Sequence, residues 1–237
     1  MAILLSWGDN ARRCISELVG TYALVVAGPS SIILLSMVSP ASALEALVLV
    51  ALTFGAAVSV IILLLGEHSG AVINPALTIA AATAQLLRRD LVIPYLLFQT
   101  AGGILAGLTL RLVFSPLGDR TSLGSTKLAT SVSPIMGVGL EALGTFVLAL
   151  SALAATAWIR RAVLQALAVG GTLAILIMFI GPLTGAGFNP ARSFGPALAS
   201  GYLSNLYLYA IGPIAGALLA GFIFRAVRSR WNLAGSK

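Results

Sequence analysis

The tripeptide Asn-Pro-Ala occurs twice, as Asn74, Pro75 and Ala76 and again as Asn189, Pro190 and Ala191. Its chemistry is that of a helix start. An Asn side-chain oxygen accepts from the unpaired backbone N–H groups of a first helical turn. Pro fits that turn because its missing N–H would have had no partner there. The runs that follow, 76–85 and 191–200, span about ten to twelve residues, which at ~1.5 Å per residue crosses only half a bilayer. The stretches before them carry Gly66, Gly70, Gly185 and Gly187 and can dip inward. Each motif is therefore read as a re-entrant loop followed by a half-helix, a backbone allowed at membrane depth only when buried in protein or lining water. Only the second copy is followed by a charge, Arg192; Leu77 takes that place in the first.

If the two half-helices enter from opposite faces, their N-termini meet near the centre. Each tip carries the equivalent of roughly half a positive charge. The side-chain oxygens of Asn74 and Asn189 cap the backbone, and their amide N–H groups point into the lumen, where one water oxygen accepts from both. Such a field opposes cations and protons and admits neutral molecules with an acceptor oxygen. The single histidine, His68, lies in the first re-entrant stretch beside Glu67. It is read as a locally bonded loop residue, with gating as the alternative.

The elements that position these loops follow from composition. Of 237 residues, 59% are hydrophobic and 9% are charged, against about 25% charged in a soluble domain. Apolar windows at 18–38, 44–65, 91–114, 135–158, 162–183 and 205–224 each approach the ~20 residues that cross a ~30 Å hydrocarbon core. Six spans alternate in direction, and the first is read as a retained helix. The basic residues then segregate: Arg12, Arg13, Arg88, Arg89, Arg160, Arg161, Arg225, Arg228, Arg230 and Lys237 on one side, with Arg120, Lys127 and nearby Arg111 on the other. The positive-inside rule places both termini in the cytoplasm, and Trp7, Trp158 and Trp231 near that same face serve as interfacial anchors. The net charge of +7 therefore does not signal a nucleic-acid partner. The lone Cys14 excludes an internal disulfide and is read as a structural small residue.

The chain also repeats itself. "ELVGTYALV" (17–25) matches "EALGTFVLA" (141–149), and "GGILAGLTLR" (102–111) matches a stretch within "AGALLAGFIFR" (215–225). The two motifs lie 115 positions apart (189 minus 74), in the same order as these landmarks. Two halves, 1–114 and 135–237, are joined by an external loop at 115–134 within a single channel domain, 1–237. Three spans per half make the second half inverted, an arrangement that builds sites at the bilayer midplane.

These residues carry a resemblance to the aquaporin, or major intrinsic protein, family. The resemblance covers the whole chain: the duplication, both Asn-Pro-Ala motifs, the arginine after the second, and a glutamate in spans 1 and 4. It implies an all-α membrane protein of six transmembrane helices and two re-entrant half-helices. It further implies that Glu17 and Glu141 hold the re-entrant loops by accepting hydrogen bonds, with a proton relay as the alternative. Four constriction positions fall on Phe54, Ile177, Ala186 and Arg192. Strict water channels of the family usually carry histidine at the position of Ile177, so the filter here is wider and less polar. Glycerol facilitators typically carry Asp at the position of Ser193, a basic residue at that of Ala197 and a Pro near Tyr209, none of which is present. Ala210, however, replaces a tryptophan common in water channels.

The resulting expectation is a passive channel for water that excludes protons and ions, with glycerol, ammonia and hydrogen sulfide as candidate further solutes. A glycerol or small-solute facilitator is the alternative. Two rivals remain: a coupled secondary transporter, disfavoured by the few ionisable residues in the core, and a structural or junctional membrane protein, disfavoured by the intact polar pore residues. No nucleophile–base set, metal cluster or phosphate loop is present in the sequence, so neither an enzyme nor a cofactor is expected. The resemblance implies a homotetramer in the cell membrane with one pore per protomer.

Overall fold

A long apolar segment can satisfy its backbone in lipid only by closing its own hydrogen bonds. The computed structural model describes the backbone of residues 2–38 and 42–234, and side chains over 9–38 and 42–229. The side chains of Trp7, Arg230, Trp231 and Lys237 thus lie outside the described residues. Among the described residues the regular elements are all helical: α1 (Ala2–Val38), α2 (Ala43–Ser69), α3 (Pro75–Thr83), α4 (Arg89–Phe114), a 3₁₀ turn (Leu117–Thr121), α5 (Pro134–Trp158), α6 (Ala162–Thr184), α7 (Pro190–Ser200) and α8 (Leu208–Ala234). Six of these helices are long and apolar enough to cross a membrane, yet only 33–39% of each apolar window is buried within the chain. The remaining faces carry residues such as Leu112, Phe179 and Phe222 outward. Only a lipid environment makes that surface favourable. The chain is an integral membrane protein.

The long helices pack as α1 against α2 and α4, α5 against α6 and α8, and α2 against α6. The half-helices cross this grouping. α3 packs chiefly on α8, and α7 chiefly on α4. Small residues set these approaches. A Cβ on Gly102 would lie 2.4 Å from the Leu18 carbonyl, and one on Gly216 2.0 Å from that of Ala142. A Cβ on Gly107 would lie 2.1 Å from the Gly195 carbonyl of α7. Gly103 and Gly221 abut Ala191 and Thr83 in the same way. These glycines are thus occupied by contacts within one chain.

Several boundaries differ from the hydropathy windows. α1 begins well before residue 18 and α8 continues past 224, because hydropathy marks the hydrocarbon rather than the end of the helical hydrogen-bond ladder. α8 starts at Leu208 rather than 205 because turns precede it, Leu206 N donating to Leu203 O and Leu208 N to Asn205 O. The 115–134 segment packs inward. Leu123, Ser125 and Thr126 are buried, and Ala129 N donates to Leu183 O at 2.9 Å. A Ser-, Thr- and Gly-rich stretch has no hydrophobic period to announce such packing.

A candidate channel site

The re-entrant loops begin where α2 and α6 stop. Gly70 (φ 90°) and Gly185 (φ 78°) end these helices in the left-handed region, where glycine bears no Cβ penalty. The chain then stays strained. Ala71, Ile73, Ala186 and Phe188 have φ of 46°, 45°, 47° and 50°. Each such non-glycine residue costs of order 1–3 kcal/mol and persists only when its surroundings over-determine it.

Two fully buried carboxylates supply that determination. Glu17 accepts from Val72 N at 3.0 Å and Ile73 N at 2.6 Å. Glu141 accepts from Gly187 N at 2.9 Å and Phe188 N at 2.7 Å. Each takes one side-chain donor as well, Gln99 Nε2 at 2.7 Å for Glu17 and Thr184 Oγ1 at 2.6 Å for Glu141. In each pair one bond falls on a residue with unfavourable φ, Ile73 for Glu17 and Phe188 for Glu141. Two tyrosines brace the helix ends, Tyr95 donating to Ser69 O at 2.8 Å and Tyr209 to Thr184 O at 2.5 Å. Gln99 extends the first set to Thr78 on α3. The sequence reading missed Gln99 and both tyrosines. A signal existed for the tyrosines, which lie 114 positions apart (209 minus 95), the offset of the glycine landmarks.

Asn74 and Asn189 are the N-caps of α3 and α7. The Asn74 oxygen accepts from Ala76 N at 2.8 Å and Leu77 N at 3.4 Å; that of Asn189 accepts from Ala191 N at 3.0 Å and Arg192 N at 3.3 Å. Pro75 and Pro190 occupy the first turns. The amide nitrogens are not wholly free for the lumen. Asn74 Nδ2 donates to Phe188 O, and Asn189 Nδ2 to Ile73 O, both at 2.9 Å. Each loop's asparagine thus ties down the residue preceding the other asparagine. One hydrogen of each amide is used, because a buried carbonyl at a broken helix needs a donor; the second is outside this cross-tie.

A cavity of about 430 Å³ runs past both asparagines. Phe54, Ala186 and Arg192 line it, as do Glu67, Leu86, Arg160 and Gln165. Much of the remaining wall is aliphatic, including Leu24, Val58, Leu77, Leu148 and Val169. Arg192 is 2% exposed. Its Nη1 donates to Gly124 O at 3.0 Å, its Cζ stands 5.0 Å above the centre of the Phe54 ring, and its Nε has no protein partner. Arg192 is thus held between the linker and an aromatic face, an attraction of the cation–π kind. Ile177 is buried in the same apolar cluster as Phe54 and Ala186 but does not line this cavity. The structure therefore brings three of the four expected filter residues together. His68 lies at the end of α2, where Arg12 Nη2 approaches its Nδ1 at 3.0 Å. Among the described residues no group of three His, Cys, Asp or Glu side chains is arranged to hold a metal.

Six crossing helices, two short helices meeting tip to tip and an axial cavity lined by their caps define a membrane channel. The chain belongs to the major intrinsic protein family, whose model, described as Major intrinsic protein, matches residues 5–224. Among relatives, Aquaporin NIP3-1 of Arabidopsis thaliana is 36% identical, over 92% of this chain and 68% of its own length. Aquaporin NIP1-1 of Zea mays is 34% identical, over 92% and 75%. Nodulin-26 of Glycine max is 32% identical, over 92% and 78%. The X-ray structure of the aquaglyceroporin from Plasmodium falciparum shares the fold, with a TM-score of 0.78 at 19% identity, covering 92% of this chain and 94% of that one. The protein is a channel, not an enzyme.

Proposed function

We propose that this channel conducts water in single file past Asn74 and Asn189, through a filter formed by Phe54, Ala186, Arg192 and the neighbouring Ile177, and that it excludes protons and ions. Its membership in the family makes it a passive channel for water and small neutral solutes. One observation carries the finer reading: a single cavity has both helix-capping asparagines and Arg192 in its wall. A cation entering it meets two positive helix ends and a fixed guanidinium in a low-dielectric surround. A neutral molecule with an acceptor oxygen loses bulk water but gains the free amide hydrogens and the arginine.

The filter is relaxed rather than strict, with Ile177 giving no polar wall, so glycerol, ammonia and hydrogen sulfide are candidate further solutes. The halves 1–114 and 135–237 act as inverted repeats about the site; the crossed packing of α3 on α8 and α7 on α4 supports this. The cell membrane, cytoplasmic termini and a homotetramer complete the reading, supported by the basic-residue asymmetry and by the family.

The test is a paired stopped-flow measurement of water and glycerol permeability in proteoliposomes. Water flux well above empty liposomes with a smaller glycerol flux is expected. Water flux at the empty-liposome level overturns the reading, and glycerol flux rivalling water makes the chain a glycerol facilitator.

A further inference from the structure

The cations that the alternation of spans puts on the face of Arg12 and Arg88 are not equivalent. Arg88 pairs with Asp90 at 2.5 Å, the only salt bridge among the described residues, and Arg12 bonds His68. Arg160 and Arg161, between α5 and α6, and Arg225 and Arg228, on α8, have no carboxylate partner among the described residues. The elements that carry the two pairs are neighbours, since the ring of Trp158 at the end of α5 packs on Phe224 of α8 with centroids 5.3 Å apart. The turn carrying Arg160 and Arg161 is fixed at both ends: Ile159 N donates to Ala155 O at 3.0 Å, Gln165 N to Arg161 O at 3.1 Å, and Gln165 Nε2 to Ile159 O at 2.5 Å. Three of the four arginines are exposed, and Arg228 is half-buried.

Four unpaired guanidiniums on neighbouring, fixed elements repel one another unless an anion lies among them. Guanidinium forks match phosphate oxygens in geometry as well as charge. The anion's source is indicated by what adjoins the cluster. Leu219 and Phe222 are 53% and 59% exposed and precede Arg225 at three-residue steps, one stripe of α8. Trp158, 54% exposed, is an amphipathic ring of the kind found at headgroup depth. An apolar stripe leading into a cationic cluster beside an interfacial tryptophan fits a molecule with an acyl chain and a phosphate.

We propose that Arg160, Arg161, Arg225 and Arg228 form a binding site for the phosphate-bearing headgroup of an anionic membrane lipid, whose acyl chain lies along Leu219 and Phe222. Because Arg160 also lines the cavity, the headgroup sits beside the channel mouth. The site does not depend on which solute the channel carries.

Native mass spectrometry of the purified full chain, offered equal phosphatidylglycerol and phosphatidylcholine, tests this. The expected result is severalfold more phosphatidylglycerol retained. R160Q/R161Q and R225Q/R228Q should each reduce the preference and the fourfold variant abolish it, while R88Q/R89Q, on the same face, keeps it. The substituted side chains lie outside the core, and an unchanged melting temperature verifies folding. Equal retention of the two lipids by the unsubstituted protein overturns the proposal. So does full preference in the fourfold variant, or equal loss in R88Q/R89Q, which would mean diffuse charge attraction. Displacement of the lipid by millimolar inorganic phosphate would overturn the lipid as occupant in favour of free phosphate.

Discussion

Asn189 donates its side-chain amide to the backbone carbonyl of Ile73, the residue before Asn74, at 2.9 Å, and Asn74 returns the same bond to Phe188, the residue before Asn189. The two helix tips are therefore fastened to each other as well as to the surrounding helices. Each amide keeps one hydrogen outside the cross-tie, and that hydrogen cannot turn away without breaking it. The cross-tie thus fixes the orientation of both donors, the preorganisation that the proposed conduction past them calls for.

Asn189→Asp and Asn189→Ala separate the cap from the cross-tie. Asp preserves an acceptor for Ala191 N and Arg192 N but sets oxygen against the Ile73 carbonyl and places a negative charge in the conduit. Ala loses both functions, a stability loss of about 2–3 kcal/mol from the cap together with an unpaired buried carbonyl. Ala is expected to lower the melting temperature, and Asp to lower water permeability and admit cations in proteoliposomes. An Asp variant as ion-tight as the native channel would mean that the amide donors are not part of the barrier.

Glu141→Gln tests the support of the strained loop. The carboxylate takes two backbone N–H groups and the Thr184 hydroxyl on two oxygens. Glutamine offers one oxygen, and its NH₂ confronts a donor. The cost of a lost bond to a carboxylate and an unpaired buried N–H is about 2–4 kcal/mol, in a segment where Ala186 and Phe188 already hold positive φ. Reduced yield, a lower melting temperature in detergent and reduced flux per folded protomer are expected. A variant with native thermal stability would show that the loop holds its shape without the carboxylate.

How much of this was readable in the sequence depends on what kind of group made each contact. The six spans were legible because lipid imposes a length and a polarity that hydropathy measures directly. The half-helix starts were legible because Asn and Pro have a specific chemistry at a helix tip. The partners of those asparagines were not, since Ile73 O and Phe188 O are backbone carbonyls that carry no residue signature. The same holds for Gly124, whose carbonyl receives Arg192; nothing in a Ser- and Gly-rich linker marks it as a wall of the site. Ile177 illustrates the opposite limit. It was placed in the filter by counting from the second motif, and a count along the chain does not say which face of α6 borders the cavity.

Mercury sensitivity should be absent from the native channel and created by Ala186→Cys. The only cysteine, Cys14, is buried against Leu91 and Tyr95 and does not line the cavity. Ala186 does line it, and cysteine adds a single sulfur at a φ of 47° that alanine already tolerates. Water flux of the variant before and after mercuric chloride, with recovery by a thiol, is the measurement. An active variant that mercury leaves unblocked would remove Ala186 from the conduit.

Arg192→Val addresses selectivity most directly, because the guanidinium combines three contacts. It donates to Gly124 O, faces the Phe54 ring and lines the cavity between them. Valine removes the fixed charge and much of the side-chain volume at one stroke, and leaves Phe54 with an apolar neighbour. Small uncharged solutes larger than water then meet a wider and less polar passage, while water loses one donor but keeps those of the two asparagines. The glycerol-to-water permeability ratio should therefore rise severalfold, with water permeability changed far less, and monovalent cation exclusion should weaken but persist at the paired helix ends. The same stopped-flow pair measures the ratio, and a diffusion potential across the vesicles measures the ions. A ratio unchanged by the substitution would move the constriction away from Arg192 and onto the asparagine cross-tie alone.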